Sequence, residues 1–277
     1  MTPHSPDTAH EEHIISQRTV AEQYRTSSNL EARIRLHERF GTNRYRWHRW
    51  VFDQFDLPRP ARVLELGCGI GKLWLENSDR LPQDWDVTLS DFSEGMLHKT
   101  RENLAGSGHD FAFRVIDARR IPFEPEQFDA VIANHMLYYV DDKPRAFSEM
   151  RRVLKRGGRL YAATNGGKHM QELVNLIEAF DASIPFIERT IEGFTLENGA
   201  QQVAEWFGDV EVRRYPDMLV VTDENALLDY ILSASSVFDL PGPRKAELAK
   251  FVMEQFALRS GVFTIAKDAG IIGGKRI

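Results

Sequence analysis

The chain has 277 residues, enough for one large domain or a domain with a sizeable insertion. It is 42% hydrophobic and 27% charged, as soluble globular proteins are, and no apolar run approaches the roughly 18–20 residues of a membrane span. A net charge of -6 without a long basic run weighs against a nucleic-acid partner, and the single cysteine, Cys68, excludes an intrachain disulfide and a multi-cysteine metal site.

Met1 to His13 is polar and acidic, unlike a secretory signal, and the lone cysteine agrees with a cytoplasmic protein. Residues 1–12 lack hydrophobic periodicity and read as a disordered tail. From Glu12 to Phe40 the pattern is helical, with Leu30, Ile34 and His37 on one face. Gly41-Thr42-Asn43 interrupts it. Trp47, Trp50, Val51 and Phe55 form a second helical face, closed by Pro58 and Pro60.

A strand–helix alternation follows. Strands are predicted at Ala61–Leu66, Asp86–Ser90, Phe111–Ile116, Phe128–Ala133 and Arg159–Thr164. Helices are predicted at Leu73–Asp79, after an N-cap at Ser93, and at Lys143–Leu154, the last stopped by Gly157-Gly158. Beyond Asn165 come helices at Met170–Phe180, Glu197–Phe207, Asn225–Leu232 and Arg244–Leu258, an irregular connection at Ala182–Ile191, and strands at Val210–Val221 and Val262–Ala266. The fold class is α/β: a Rossmann-like, mostly parallel sheet with helices on both faces and with N-terminal and inserted lid helices. A single domain spans 1–277, with N-terminal lid helices at 13–58, a ligand-binding core at 59–168, and at 169–277 the rest of the sheet with inserted cap helices.

The first strand runs into Glu65-Leu66-Gly67-Cys68-Gly69-Ile70-Gly71. Glycines there let the backbone turn tightly and come close to a ligand. A phosphate-gripping P-loop would need a longer spacing and a Ser or Thr where Leu73 stands. A dinucleotide loop would place its third glycine where Lys72 stands. The pattern E/D-x-G-x-G-x-G, which surrounds the amino-acid part of S-adenosylmethionine, fits without a gap. A glycine turn with no ligand is the bland alternative. Asp91 ends the second strand, where a carboxylate can accept from both ribose hydroxyls, or simply cap a helix. Asp117-Ala118 follows the third strand, where a carboxylate and a backbone N–H suit adenine, or simply a turn. Asn134-His135-Met136 ends the fourth. All four lie at carboxyl ends of parallel strands, where open α/β sheets bind ligands.

These residues resemble the class I S-adenosylmethionine-dependent methyltransferases, nearest the small-molecule 11/25 type, over Arg62 to Thr164. The resemblance implies S-adenosylmethionine as cofactor and no metal. It implies that Gly67, Cys68 and Gly69 line the methionine part with Glu65 supporting the loop, that Asp91 holds ribose, and that Phe92 and Met96 flank the adenosine. It further implies that Asp117 and Ala118 recognise adenine and that the backbone of Asn134 meets the amino group. Cys68 reads as packing rather than redox. Asn134-His135-Met136-Leu137 is not the N/D-P-P-Y/F of enzymes that methylate nucleobase or glutamine amino groups. The single cysteine is unlike the arsenic methyltransferases. Asn29 to Phe55 looks like the extra N-terminal segment of some natural-product methyltransferases, a few of which also cyclise their substrate; Tyr24 would anchor such a helix over the cofactor.

Methyl transfer from a sulfonium needs position and water exclusion, and a base only when the acceptor must lose a proton. His135 is the expected catalytic residue, with His37 and His48 as lesser candidates. His37, Trp47, Tyr138 and Tyr139 are expected on the acceptor side, with a packing role as the alternative for each. Arg44, Arg46 and Arg49 read as a solvated face. The helices at Met170–Phe180 and Asn225–Leu232 are expected to form a lid over a moderately hydrophobic acceptor. The expected partner is a small molecule, with a bacterial secondary metabolite as one example, and not nucleic acid or membrane; a homo-oligomer is compatible with the N-terminal helices. A cyclase or binding protein that keeps the pocket, and an RNA or protein methyltransferase, are the alternatives.

Overall fold

Strand burial explains why the central runs are nearly unbroken in hydrophobicity. β1 (Ala61–Leu66), β2 (Trp85–Asp91), β3 (Phe111–Val115), β4 (Phe128–Asn134) and β5 (Leu154–Asn165) pair in parallel, and β7 (Phe263–Lys275) pairs antiparallel to β5. With β6 (Gly208–Val221) they form one seven-stranded sheet in the order β3-β2-β1-β4-β5-β7-β6. The structure, a computed structural model, describes residues 27–184, 186, 192–233 and 240–277. The tail expected at 1–12 and Tyr24 lie outside the described residues.

Alternate residues of the central strands feed two cores, as the period of a strand requires. Leu64, Leu66, Val131, Ala133, Leu160 and Ala162 pack with Phe147 and Met150 of α5 (Lys143–Val153) and with Leu196 and Val203 of α7 (Leu196–Ala204). Val63, Leu89, Ala130, Ile132 and Ala163 belong to a cluster with Val51 of α2 (Trp47–Phe52), Leu73 and Trp74 of α3 (Lys72–Leu75), and Leu97 and Leu104 of α4 (Glu94–Leu104). The connections from β1 run to β2 and β3 at one edge, while β4 and β5 lie on the other side of β1. The strand order therefore reverses between β1 and β4, and ligands of such sheets bind outside the carboxyl ends at that point.

The described residues of Met1–Gly41, Glu172–Ile187 and Leu219–Ile265 form one compact unit, and those of Thr42–Gln171, Glu188–Met218 and Ala266–Ile277 form a second. These boundaries differ from the expected segments: α1 (Ser27–Phe40) goes with the first unit and α2 with the second. Within the first unit Arg33 donates to Ser233, Arg39 pairs with Asp223 at 2.7 Å, and Arg244 pairs with Asp181 at 2.6 Å. The helices expected as a lid, α6 (Gln171–Asp181, from Glu172 on) and α8 (Glu224–Leu232), belong to it, as does α9 (Gly242–Ala257).

Three elements differ from the sequence expectation. The helix predicted at Leu73–Asp79 is a single turn, because the Asn77 amide donates to the Leu73 carbonyl at 2.6 Å and takes the place of a helical N–H. Helix α5 is not stopped by Gly157-Gly158; the chain turns extended at Leu154 and the glycines lie inside β5, beside a register shift against β4. The last strand runs to Lys275 rather than ending at Ala266. Gly270 serves close approach there, since a Cβ on it would lie 2.4 Å from the Arg213 carbonyl oxygen.

Candidate active site

The loop after β1 is wound by three left-handed glycines, Gly67, Gly69 and Gly71, with φ of 69°, 56° and 77°. A Cβ on Gly67 would come within 2.9 Å of Met136 Cβ, and one on Gly71 within 2.8 Å of Thr100 Cγ2. A Cβ on Gly69 would meet nothing within 4 Å among the described residues, so the middle of the loop is uncovered by them. Cys68 is packed beneath it. Its N–H donates to the Ser90 carbonyl at 2.8 Å, its side chain joins the core cluster, and burial pushes its thiol pKa far up. Such a thiol is a packing group.

Asp91, at the end of β2, ties this loop to the start of α4. Its Oδ2 accepts from the Gly69 N–H and its Oδ1 from the Ser93 N–H, both at 2.9 Å. Burial raises its carboxyl pKa, and these backbone bonds work against the rise. Each carboxylate oxygen keeps acceptor capacity for a ligand hydroxyl. The next ring, Phe92, is 57% exposed, which leaves a face free for stacking. Ser93 caps α4 by accepting from the Met96 N–H, and Met96 is half-buried in that first turn. Ala118 is buried after β3. Asp117 beside it is gripped by Arg119, with the shortest contact 2.7 Å, and Arg119 also reaches Asp141 at 2.8 Å. The hydrogen bond to Asp117 leads the rise in the Arg119 pKa.

Glu65 is 2% exposed near the end of β1. The Trp74 indole N–H donates to its Oε2 at 2.5 Å, and the Asn134 amide donates to its Oε1 at 3.1 Å. Burial pushes this carboxyl up to about 7, against those two hydrogen bonds and with help from the Asp91 charge. Asn134 Oδ1 is buried and has no hydrogen-bond partner among the described residues.

Past Asn134 the chain turns at His135, whose φ is 50° and whose N–H donates to the Ala163 carbonyl. Its ring lies 5.3 Å from Trp47, which stacks on Trp50 at 5.4 Å and meets Tyr215 edge-on at 5.3 Å. Burial brings the His135 pKa down to about 4, with His48 and Lys267 adding repulsion. Tyr215 donates to the Tyr45 carbonyl, and burial raises its phenol to about 12. Lys267 sits 5.7 Å over the Tyr215 ring and is paired with the nearly sealed Asp217. His169, in the turn after β5, accepts from the Asp268 N–H and is held down to about 3 by burial.

The expected catalytic residue His135 and the expected acceptor-side residue Trp47 are in mutual contact. Tyr138 and Tyr139 form a 3-10 turn, Leu137–Tyr139, with their rings 4.5 Å apart, and Tyr138 packs on the core. His37 lies in the first unit, edge-on to Tyr230 at 5.9 Å. His48 pairs with Glu76 at 3.3 Å. Arg49 is not merely solvated, since it holds Asp79 in two hydrogen bonds and the Glu76 carbonyl in a third. Trp74, Arg119, His169, Tyr215 and Lys267 were not foreseen. Only Trp74 carried a signal, as an aromatic nine residues after Glu65 on the one-turn helix that follows the glycines.

The parallel sheet, its switch point and the left-handed glycine loop define a Rossmann-like α/β fold. Residues 63–158 match the family model described as a methyltransferase domain. The chain is 37% identical over 114 residues to the ubiquinone/menaquinone biosynthesis C-methyltransferase UbiE of Desulfotalea psychrophila, covering 41% of this chain and 45% of that one. It is 32% identical over 168 residues to the malonyl-(acyl-carrier protein) O-methyltransferase of Geobacter sulfurreducens, covering 57% and 62%. The aligned stretch thus spans about half to three fifths of these relatives. Among solved structures the YcgJ protein of Bacillus subtilis superposes with a TM-score of 0.58 at 15% identity, over 83% of this chain and 97% of that one, which shows the fold. Over residues 63–158 the chain is therefore similar to methyltransferase domains, in line with its resemblance to the class I S-adenosylmethionine-dependent methyltransferases. Among the described residues no helix is long and apolar enough to cross a membrane.

Proposed function

We propose that this chain transfers a methyl group from S-adenosylmethionine to a small-molecule acceptor held beside Trp47 and His135. The observation that carries the cofactor half is Asn134 Oδ1 at the end of β4, beside the switch point, buried and orphaned among the described residues. An unpartnered buried acceptor is costly and calls for a donor; the ammonium of an amino acid is one. The rest of the donor set fits the same ligand. Gly67, Cys68 and Gly69 bound the amino-acid part through their backbone, Asp91 offers a carboxylate to a ribose diol, and Phe92, Met96 and Ala118 offer apolar surface to a purine. Asp117, shared with Arg119, supports the purine end through a fixed carboxylate.

When bound, the cofactor supplies a methyl group already activated on a sulfonium, so the protein has mainly to orient the acceptor and exclude water. The rings of Trp47, Trp50 and Tyr215 make a rigid wall for that purpose. Near pH 7 His135 is neutral, because burial holds its pKa to about 4. It therefore accepts a hydrogen bond from the acceptor and orients it, and is a weak store for a proton. The small-molecule reading rests on the net charge of -6 and on the likeness to an enzyme of quinone biosynthesis. The test is calorimetric binding of S-adenosylmethionine to the full chain, followed by transfer of labelled methyl to panels of small acceptors and of RNA. Saturable binding and label in a small acceptor support the proposal. Failure to bind S-adenosylmethionine, or label in RNA alone, sinks it.

A further inference from the structure

We propose that Glu65 and Trp74 act as positioning residues that set the Asn134 amide, so that cofactor binding releases one proton from Glu65. This rests on the assignment of S-adenosylmethionine to the site. The indole N–H of Trp74 occupies Glu65 Oε2 at 2.5 Å, so a proton on this carboxyl sits on Oε1, the oxygen that faces Asn134 Nδ2 at 3.1 Å. An ionised carboxylate only accepts. Asn134 must then turn its NH2 toward Glu65, which leaves Oδ1 on the other side, buried and without a partner among the described residues. That is the state in which the site offers an acceptor to an ammonium.

Protonation reverses the polarity. A Glu65 O–H on Oε1 donates toward Asn134, the amide turns over so that Oδ1 accepts, and NH2 is offered to the ligand instead. A donor opposite an ammonium repels it, so the protonated site and the bound cation exclude one another. Both states are within reach near neutrality, since burial raises Glu65 to about 7. The titratable groups that act on it are Asp91 from β2, which favours the proton, and Cys68 from the loop, which burial keeps as a thiol.

The test is titration calorimetry of the full-length chain with S-adenosylmethionine, in buffers of different ionisation enthalpy, from pH 6 to 8. Below pH 7 the expected result is proton release approaching one per bound ligand, with affinity falling up to about tenfold per pH unit. The ligand's own amine titrates near pH 8 and gives a separate term, common to every variant. Glu65→Gln fixes the turned amide and should bind weakly, without release between pH 6 and 7. Trp74→Phe removes a hydrogen bond that favours the ionised carboxylate and should move the midpoint of the release upward. It decides the matter if Glu65→Gln does not fold. Equal release in Glu65→Gln, an unmoved midpoint in Trp74→Phe, or wild-type affinity independent of pH between 6 and 7 overturns the proposal while leaving the cofactor assignment intact. Absence of binding at every pH removes the assignment itself.

Discussion

On the loop side of the site, from Glu65 to Asp91, polar groups are held by the backbone and by one another over short stretches of chain. On the aromatic side, around His135, the parts come from α2, the turn after β4, the turn after β5, β6 and β7, and are held by ring faces, burial and polar ties between positions far apart in the chain. A loop that is wound by three positive-φ glycines and laced to a carboxylate has one shape. A wall of rings can change its members while the loop stays put. The contrast suits the proposed transfer from a single methyl donor.

Acid should break the aromatic side first. Burial lowers His169 to about 3 and His135 to about 4 from an ordinary 6.5. The unfolded chain gains those protons as pH drops below 6.5, the folded chain only near 3 to 4, so their contribution to stability is complete above 6.5 and is lost as pH falls. Glu65 has the opposite sign: its raised pKa gives stability below 4.5 that is lost as pH rises toward 7. On balance, urea unfolding at stepped pH should show a loss on the order of 4 kcal/mol between pH 6.5 and 3. His169→Gln should flatten that curve; an unchanged slope would show that His169 is solvated.

The next largest effect belongs to the loop. Gly71→Ala combines a left-handed residue, about 1–2 kcal/mol, with crowding against Thr100, about 1–3 kcal/mol. Chemical denaturation should show a loss of about 3 kcal/mol, and a loss under 1 would mean that the loop yields. Asp91→Ala removes two charge-assisted bonds to backbone and the candidate ribose acceptor. The expected cost is about a hundredfold in S-adenosylmethionine affinity, with calorimetry as the measure. Smallest is Trp47→Ala, which should lower acceptor kcat/KM about tenfold through lost ring contacts while S-adenosylmethionine affinity stays within twofold. Equal losses in both quantities would join the two sides into one.

The legibility of the molecule followed the same division. β1 to β4 were placed to within a residue or two; β1, β2 and β4 are largely buried and read as apolar runs, whereas β3 is a partly exposed edge strand. The glycine loop and Asp91 were legible because the glycine pattern is contiguous and its tie to Asp91 spans only 22 positions. β5 and β7 were cut short, since glycine usually punctuates a chain; here Gly157 sits at a register shift and Gly270 lets two backbones approach. Tyr215 and His169 were out of reach, because the contacts that give them meaning join positions more than 50 residues apart in chain order. Trp74 is a core residue at 0% exposure, and its single N–H is what carries it into the site.

Cys68 has a practical consequence. It is the chain's single cysteine, and burial both shields its sulfur and keeps it protonated. Maleimide reagents, which attack thiolates, should pass it by. A cysteine introduced at Phe92, whose native side chain is 57% exposed at the edge of the purine end, would be the sole reactive handle on the molecule. A fluorophore attached there would report occupancy of the pocket by its colour, with the native thiol silent in the background.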